Sequence, residues 1–145
     1  RDMNPHLVSR VVFLSALYDL AVTLPFATPW TARLVLQQLT SAHHQLGLSG
    51  AAPQLVEPIA LLFVTLMGSL VVVWSGVRLL SPTAPLGAAD TLARLLFSTW
   101  MLHALAHGGS WVVVPFVVAE VAWGLVQGAV VLPVVWRGLG QRAQA

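Results

Sequence analysis

The fold turns on Ala88–His107, AADTLARLLFSTWMLHALAH. A bilayer-crossing helix takes about 20 mainly apolar residues, and this stretch has the length. It also carries Asp90 and Arg94, and each such charge costs about 2.5–3.5 kcal/mol at the centre of a membrane helix. It is the most marginal of four apolar runs in the chain. A four-span reading depends on it.

The rest of the chain sets the solvent. Of 145 residues, 57% are hydrophobic and 8% charged, with mean hydropathy +0.82; soluble domains carry about 25% charged residues. A water-soluble fold of this size could not hide so much apolar surface. The pI near 10.5 comes from seven arginines and no lysine against five acids. Those arginines are scattered singly rather than forming a stripe, which excludes nucleic-acid binding. With no cysteine, disulfides and thiolate metal sites are excluded too. The first ten residues, RDMNPHLVSR, are too polar for a cleaved secretory leader, so the first apolar run is read as a retained helix.

These observations predict an all-α integral membrane protein, one four-span domain over residues 1–145. The spans are expected at about 7–26, 56–80, 88–107 and 111–136. Pro25 and Pro29 end the first and SPTAP (81–85) closes the second. Tryptophans bracket the fourth, as suits interfaces, with Pro115 and Pro133 near its ends. Between the first two spans, residues about 29–46 open like a helix, with Thr28 as N-cap and Pro29 first. At 100° per residue, Leu34, Val35, Leu36, Leu39, Ala42 and Leu46 fall on one side; Arg33, Gln37, Thr40, Ser41 and His44 fall on the other. That pattern predicts an amphipathic helix on the outer membrane surface.

Orientation follows from arginine placement. With the N-terminus inside, Arg1, Arg10, Arg78, Arg94, Arg137 and Arg142 cluster on the inner side and Arg33 stands outside. The positive-inside rule then places both termini in the cytoplasm. A bacterial inner membrane fits this pattern and the arginine usage. His43, His44, Glu57, His103 and His107 all fall on the outer side.

Intramembrane carboxylates each need a reason. Asp19 shares a stripe with Ser15 and Thr23 at i±4, beside Tyr18. Glu120 shares a face with Gly124 and Gln127. Gly124 and Gly128 make a small-xxx-small pattern that admits a neighbouring helix, and Gly68 with Ser69 offers a similar surface. Asp19 and Glu120 are either locks between helices or the proton donor and acceptor of a polar cavity. Ser15, Tyr18, Asp19, Thr23, Glu57, Trp100, Glu120 and Gln127 are its candidate ligand-binding residues.

His103 and His107 stand one turn apart. Such a pair can share a metal, with Glu57 and His43 or His44 completing a site suited to zinc or iron. Alternatively, with GGS (108–110) following, His107 caps the last carbonyls of its helix. Haem is not expected, because one turn of one helix cannot clamp both haem faces. Five histidines also fall short of the histidine boxes of membrane di-iron hydroxylases.

Three functions remain. The first is a subunit that assembles with other membrane proteins or with itself, docking through a face such as Trp74, Gly68 and Gly76. The second is a small membrane enzyme or lipid-binding protein whose outer-facing cavity, built from Asp19, Glu120 and the outer histidines, holds a lipid or hydrophobic small molecule. The third is a proton-coupled carrier strung through Arg94, Asp19, Glu120 and His103. It ranks last, because Arg94 and His103 lie on opposite sides of their helix.

Overall fold

The computed structural model describes residues 5–54 and 57–142. Arg1 and Val56 lie outside the described residues, as does the Arg142 side chain. The regular structure is helical: α1 (Pro5–Thr23), α2 (Pro29–Gln45), α3 (Pro58–Leu80), α4 (Ala84–Ala106) and α5 (Val114–Arg142). Single 3-10 turns sit at Leu24–Phe26 and Trp111–Val113. Three segments are long and apolar enough to cross a membrane: His6–Phe26, Pro58–Leu80 and Trp111–Gln141.

Prolines set several boundaries, because a helix start wastes no N–H on them. Pro29, Pro58 and Pro85 each fall in the first two positions of a helix. Thr28 caps α2 by accepting the Thr31 N–H at 3.3 Å. Two boundaries differ from the sequence reading. SPTAP is not all turn: α4 begins at Ala84, so its first two residues lie inside that motif. Helix α5 runs through Pro133 to Arg142, six residues past Trp136. Proline removes one backbone bond and strains the helix, and here the helix continues past it.

The interior is polar and the surface is apolar. Among the described residues the buried set holds eight hydrophobic and ten polar or charged residues, while thirty-one large hydrophobic side chains are exposed. Water would reverse that partition, and with three apolar segments of spanning length it points to membrane association. In α4 the buried residues are Gly87, Asp90, Arg94 and Ser98, a stripe at spacings of three and four. Leu92, Leu95, Leu96, Trp100 and Leu102 face outward.

Helix α1 is the hub, packing against α3, α5 and α4, while α4 lies chiefly along α5. Both principal pairs are antiparallel. In the first, Asp19 meets Arg78, and Phe26 meets Gly68. In the second, Gly87 meets Val131, and Gly128 meets Thr91. Helices α3 and α4 hardly pack directly. A small apolar cluster of Val8, Val12 and Val131 closes the end of the bundle near Gly87.

Gly68 sits midway along α3, and a Cβ there would lie 2.5 Å from the Phe26 carbonyl carbon and oxygen. Ser69 adds a hydrogen bond to the Ala27 carbonyl at 3.3 Å. Helix α2 therefore starts at mid-height of α3 and reaches the far loops only at its C-terminal end. There His43 Nδ1 meets Ser110 Oγ at 2.7 Å. The Ala51 N–H donates to the Gly108 carbonyl at 2.8 Å, and the Trp111 N–H to the Ser49 carbonyl at 3.0 Å. Gly50 has φ +89° and would place a Cβ 2.2 Å from the Gly109 oxygen, so both its conformation and its space require glycine.

The face expected to dock a partner is partly spent inside the molecule. Gly68 is covered by Phe26, and Trp74 Nε1 donates to Asp90 at 3.0 Å; Gly76 alone of the three is open. Gly68→Ala should lower the stability of the detergent-solubilised protein by about 1–3 kcal/mol through overpacking, while Gly76→Ala should leave the thermal midpoint unchanged or raised. Equal midpoints for the two variants would show that the Phe26 contact is not tight.

Candidate functional site

All four long helices meet at one group of charges. Asp19 comes from α1, Arg78 from α3, Asp90 and Arg94 from α4, and Glu120 from α5. Arg78 Nη2 donates to Asp19 at 2.5 Å and Arg78 Nη1 pairs with Asp90 at 2.7 Å. Arg94 Nη2 reaches Asp19 at 2.7 Å and Arg94 Nε reaches Asp90 at 3.0 Å. The result is a closed ring of alternating charge: Asp19, Arg78, Asp90, Arg94. Glu120 is a branch on this ring, held by Arg94 Nη1 at 2.9 Å.

Neutral groups complete the ring. Ser15 Oγ accepts from Arg94 Nη2 at 2.9 Å and from Arg78 Nη1 at 3.2 Å, and donates to Asp90 at 3.3 Å. Gln127 Nε2 donates to Asp90 and to the Gly87 carbonyl, both at 2.9 Å. The Arg78 guanidinium lies 5.7 Å from the Trp74 ring centroid, within cation–π reach. Arg78 and Gln127 are fully buried and Arg94 is 2% exposed, so these bonds act where water screens little. Glu120 is the most accessible member, with 17% of its side chain exposed.

Two cavities open onto this network. One, about 280 Å³, lies in the gap between α3 and α4, and Asp19, Asp90, Arg94 and Glu120 form its polar floor. Met67, Leu70, Val71, Trp74 and Phe97 wall it. The other, about 350 Å³, lies between α4 and α5, where Arg94, Ser98 and Glu120 meet walls of Leu92, Leu95, Val121 and Leu125. Arg94 and Glu120 are common to both.

The expected site residues separate into two groups. Ser15, Asp19, Glu120 and Gln127 join in the network. Thr23 donates to the Asp19 carbonyl at 2.6 Å and lines the α3–α4 cavity. Tyr18 is half-buried and stacks obliquely on Trp123 with centroids 5.9 Å apart. The histidine end is separate. Trp100 is exposed and edge-on to His103 at 6.3 Å, and Glu57 is exposed at the start of α3. None of the described histidines lines either cavity, so the histidines and these carboxylates stand in separate places.

The rings of His103 and His107 lie 4.0 Å apart, and His107 Nδ1 contacts the His103 carbonyl at 2.8 Å. His43 is turned to Ser110, and His44 stands perpendicular to it at 5.2 Å. Among the described residues no three His, Asp or Glu side chains gather as a metal site needs. Sequence reasoning overlooked the arginines as partners. Arg78 and Arg94 count as inner-side charges in the orientation argument, yet both are buried in ion pairs. The signal was present: Asp90 and Arg94 stand at i, i+4, and interior charges of both signs must pair.

No protein-family model, curated protein or solved structure matches this chain. Its chemistry is therefore read from the network itself. Arg94→Gln leaves three carboxylates facing one guanidinium and should cost about 3–5 kcal/mol. Glu120→Gln spares the ring and should cost about 1 kcal/mol. Denaturant unfolding of both variants in detergent, followed by circular dichroism, checks the order; the reverse order would remove Arg94 from its central position.

Proposed function

We propose that this chain is a four-span membrane protein that binds an amphiphilic small molecule or lipid inside the bilayer. The ligand enters sideways between α3 and α4. The observation that carries this reading is the convergence of two apolar-walled cavities on Arg94 and Glu120. A ligand there keeps its apolar part in hydrocarbon and brings a polar group to a preorganised charge network. Asp19 and Glu120 serve in it as ion-paired binding groups rather than as a free acid and base, since Arg94 holds both.

Several features support α4 as the fourth span. Its 23 residues reach about 34 Å, enough for a hydrocarbon core of about 30 Å. It runs antiparallel to α5, turns its charges inward and its leucines outward, and so meets lipid with an apolar face. The exposed Arg10 and Arg137 at one end, with the exposed Arg33 away from them near the start of α2, favour cytoplasmic termini in a bacterial inner membrane. The C-terminal part of α2 then lies at the outer interface.

A second reading, a subunit that pairs with another membrane protein or a second copy, is favoured by the weakly packed α3–α4 edge. Met67, Leu70 and Phe97 are exposed there, and a partner helix would cover the same opening.

Two measurements test these readings. The natural chain lacks cysteine, so single cysteines at Ser81 and His107 should label with an impermeant maleimide from opposite sides of the membrane; labelling from one side removes α4 as a span. Native mass spectrometry after gentle extraction should retain a bound amphiphile, and Ala93→Phe, which narrows the α3–α4 cavity, should lose it. A bound protein partner in place of the amphiphile would move the weight to the subunit reading.

A further inference from the structure

The network is not electrically balanced, and the imbalance is exposed on one side. Three carboxylates, from Asp19, Asp90 and Glu120, face two guanidiniums, from Arg78 and Arg94. Arg78 is fully buried and lines neither cavity. The floor of the α3–α4 cavity thus presents three carboxylates with Arg94 as the only cation among its lining residues.

The donors in that floor are committed already. Every guanidinium nitrogen of Arg94 is given to a carboxylate or to Ser15. The indole N–H of Trp74 is given to Asp90, and the Thr23 hydroxyl to a backbone carbonyl. Glu120, by contrast, is held at Oε2 alone by Arg94. An anionic head group would meet three carboxylates and a guanidinium whose every nitrogen is already bonded. A cation would meet surplus negative charge beside the aromatic faces of Trp74 and Phe97, both of which line the cavity and favour cations.

We infer that the α3–α4 cavity is a site for a lipophilic cation, an amine or quaternary ammonium on an apolar body, with Glu120 as its counter-charge. The inference rests on the binding reading above and names the ligand's chemistry. Trp74 and Phe97 flank the cation, and the mouth formed by Met67 and Leu70 leaves the apolar part in the bilayer.

The test compares three probes of equal chain length: dodecyltrimethylammonium, dodecanol and dodecyl sulfate. Each is titrated calorimetrically into the protein in phosphatidylcholine nanodiscs, with empty discs subtracted. The ammonium should bind saturably and at least about tenfold more tightly than the alcohol, with the sulfate weakest. Glu120→Gln should erase most of the preference for the ammonium over the alcohol, while Ala93→Phe, which keeps every charge, should weaken both. Equal affinities, a preference for sulfate, or a preference that survives Glu120→Gln overturns the cation site and leaves the binding reading standing. No saturable binding of any probe overturns both. Should Glu120→Gln fail to fold, the ranking of the probes and the weakening of both the ammonium and the alcohol in Ala93→Phe decide the matter.

Discussion

Arg94 makes three ion pairs with one guanidinium, to Asp19 on α1, to Asp90 on its own helix and to Glu120 on α5. Its planar fork supplies donors in several directions at once, which a lysine ammonium could not do with the same geometry. Five ionised groups placed singly in hydrocarbon would each cost about 2.5–3.5 kcal/mol. Assembled, they solvate one another, and the ring closes only when α1, α3 and α4 stand at one relative height. The network therefore sets the register of the helices, a task that apolar side chains do poorly where lipid and protein are equally apolar.

The packing around the network follows from that constraint. Glycines admit the closest approaches: Gly87 lets α4 lie against Val12 and Val131, and Gly68 lets α3 meet the turn after α1. On the α3–α4 side, apolar packing gives way to polar bonds from Arg78 and Trp74 to Asp90. Such bonds can tie two helices at one height while leaving a gap above. The α3–α4 cavity is that gap. The same interaction that stabilises the bundle thereby leaves an opening at its side.

The histidine end answers to different physics. His43, Ser110 and the backbone bonds between the loops around Ser49–Ala51 and Gly108–Trp111 join the ends of α2, α4 and α5. Polar backbone groups leaving a helix need partners, and here each loop supplies them to the other. His103 and His107 lie exposed beside this junction, one bonded to the other's carbonyl, so their spacing reflects the end of a helix.

Much of the architecture was legible from residue pattern alone. Apolar runs, the first ended by Pro25 and Pro29 and the next closed by SPTAP, located α1, α2 and α3, because proline favours helix starts and stops. The inward direction of Ser15, Asp19, Asp90 and Arg94 was legible in principle too, since a charge on an apolar helix has nowhere else to go. Pairing was not. Arg78 lies fifty-nine residues from Asp19, and nothing local distinguishes a buried arginine from one that faces a cytoplasmic loop. Nor could spacing along the chain separate Glu120, joined to the charge network, from the histidines at the other end of α4. The sequence by itself determined an inside-out helical chain, polar within and apolar without, because hydropathy and helical period are local properties. Which charges meet, how many carboxylates face each cavity, and that α3 and α4 stand apart were decided only by the tertiary structure, because ion pairing across helices depends on their relative height and rotation.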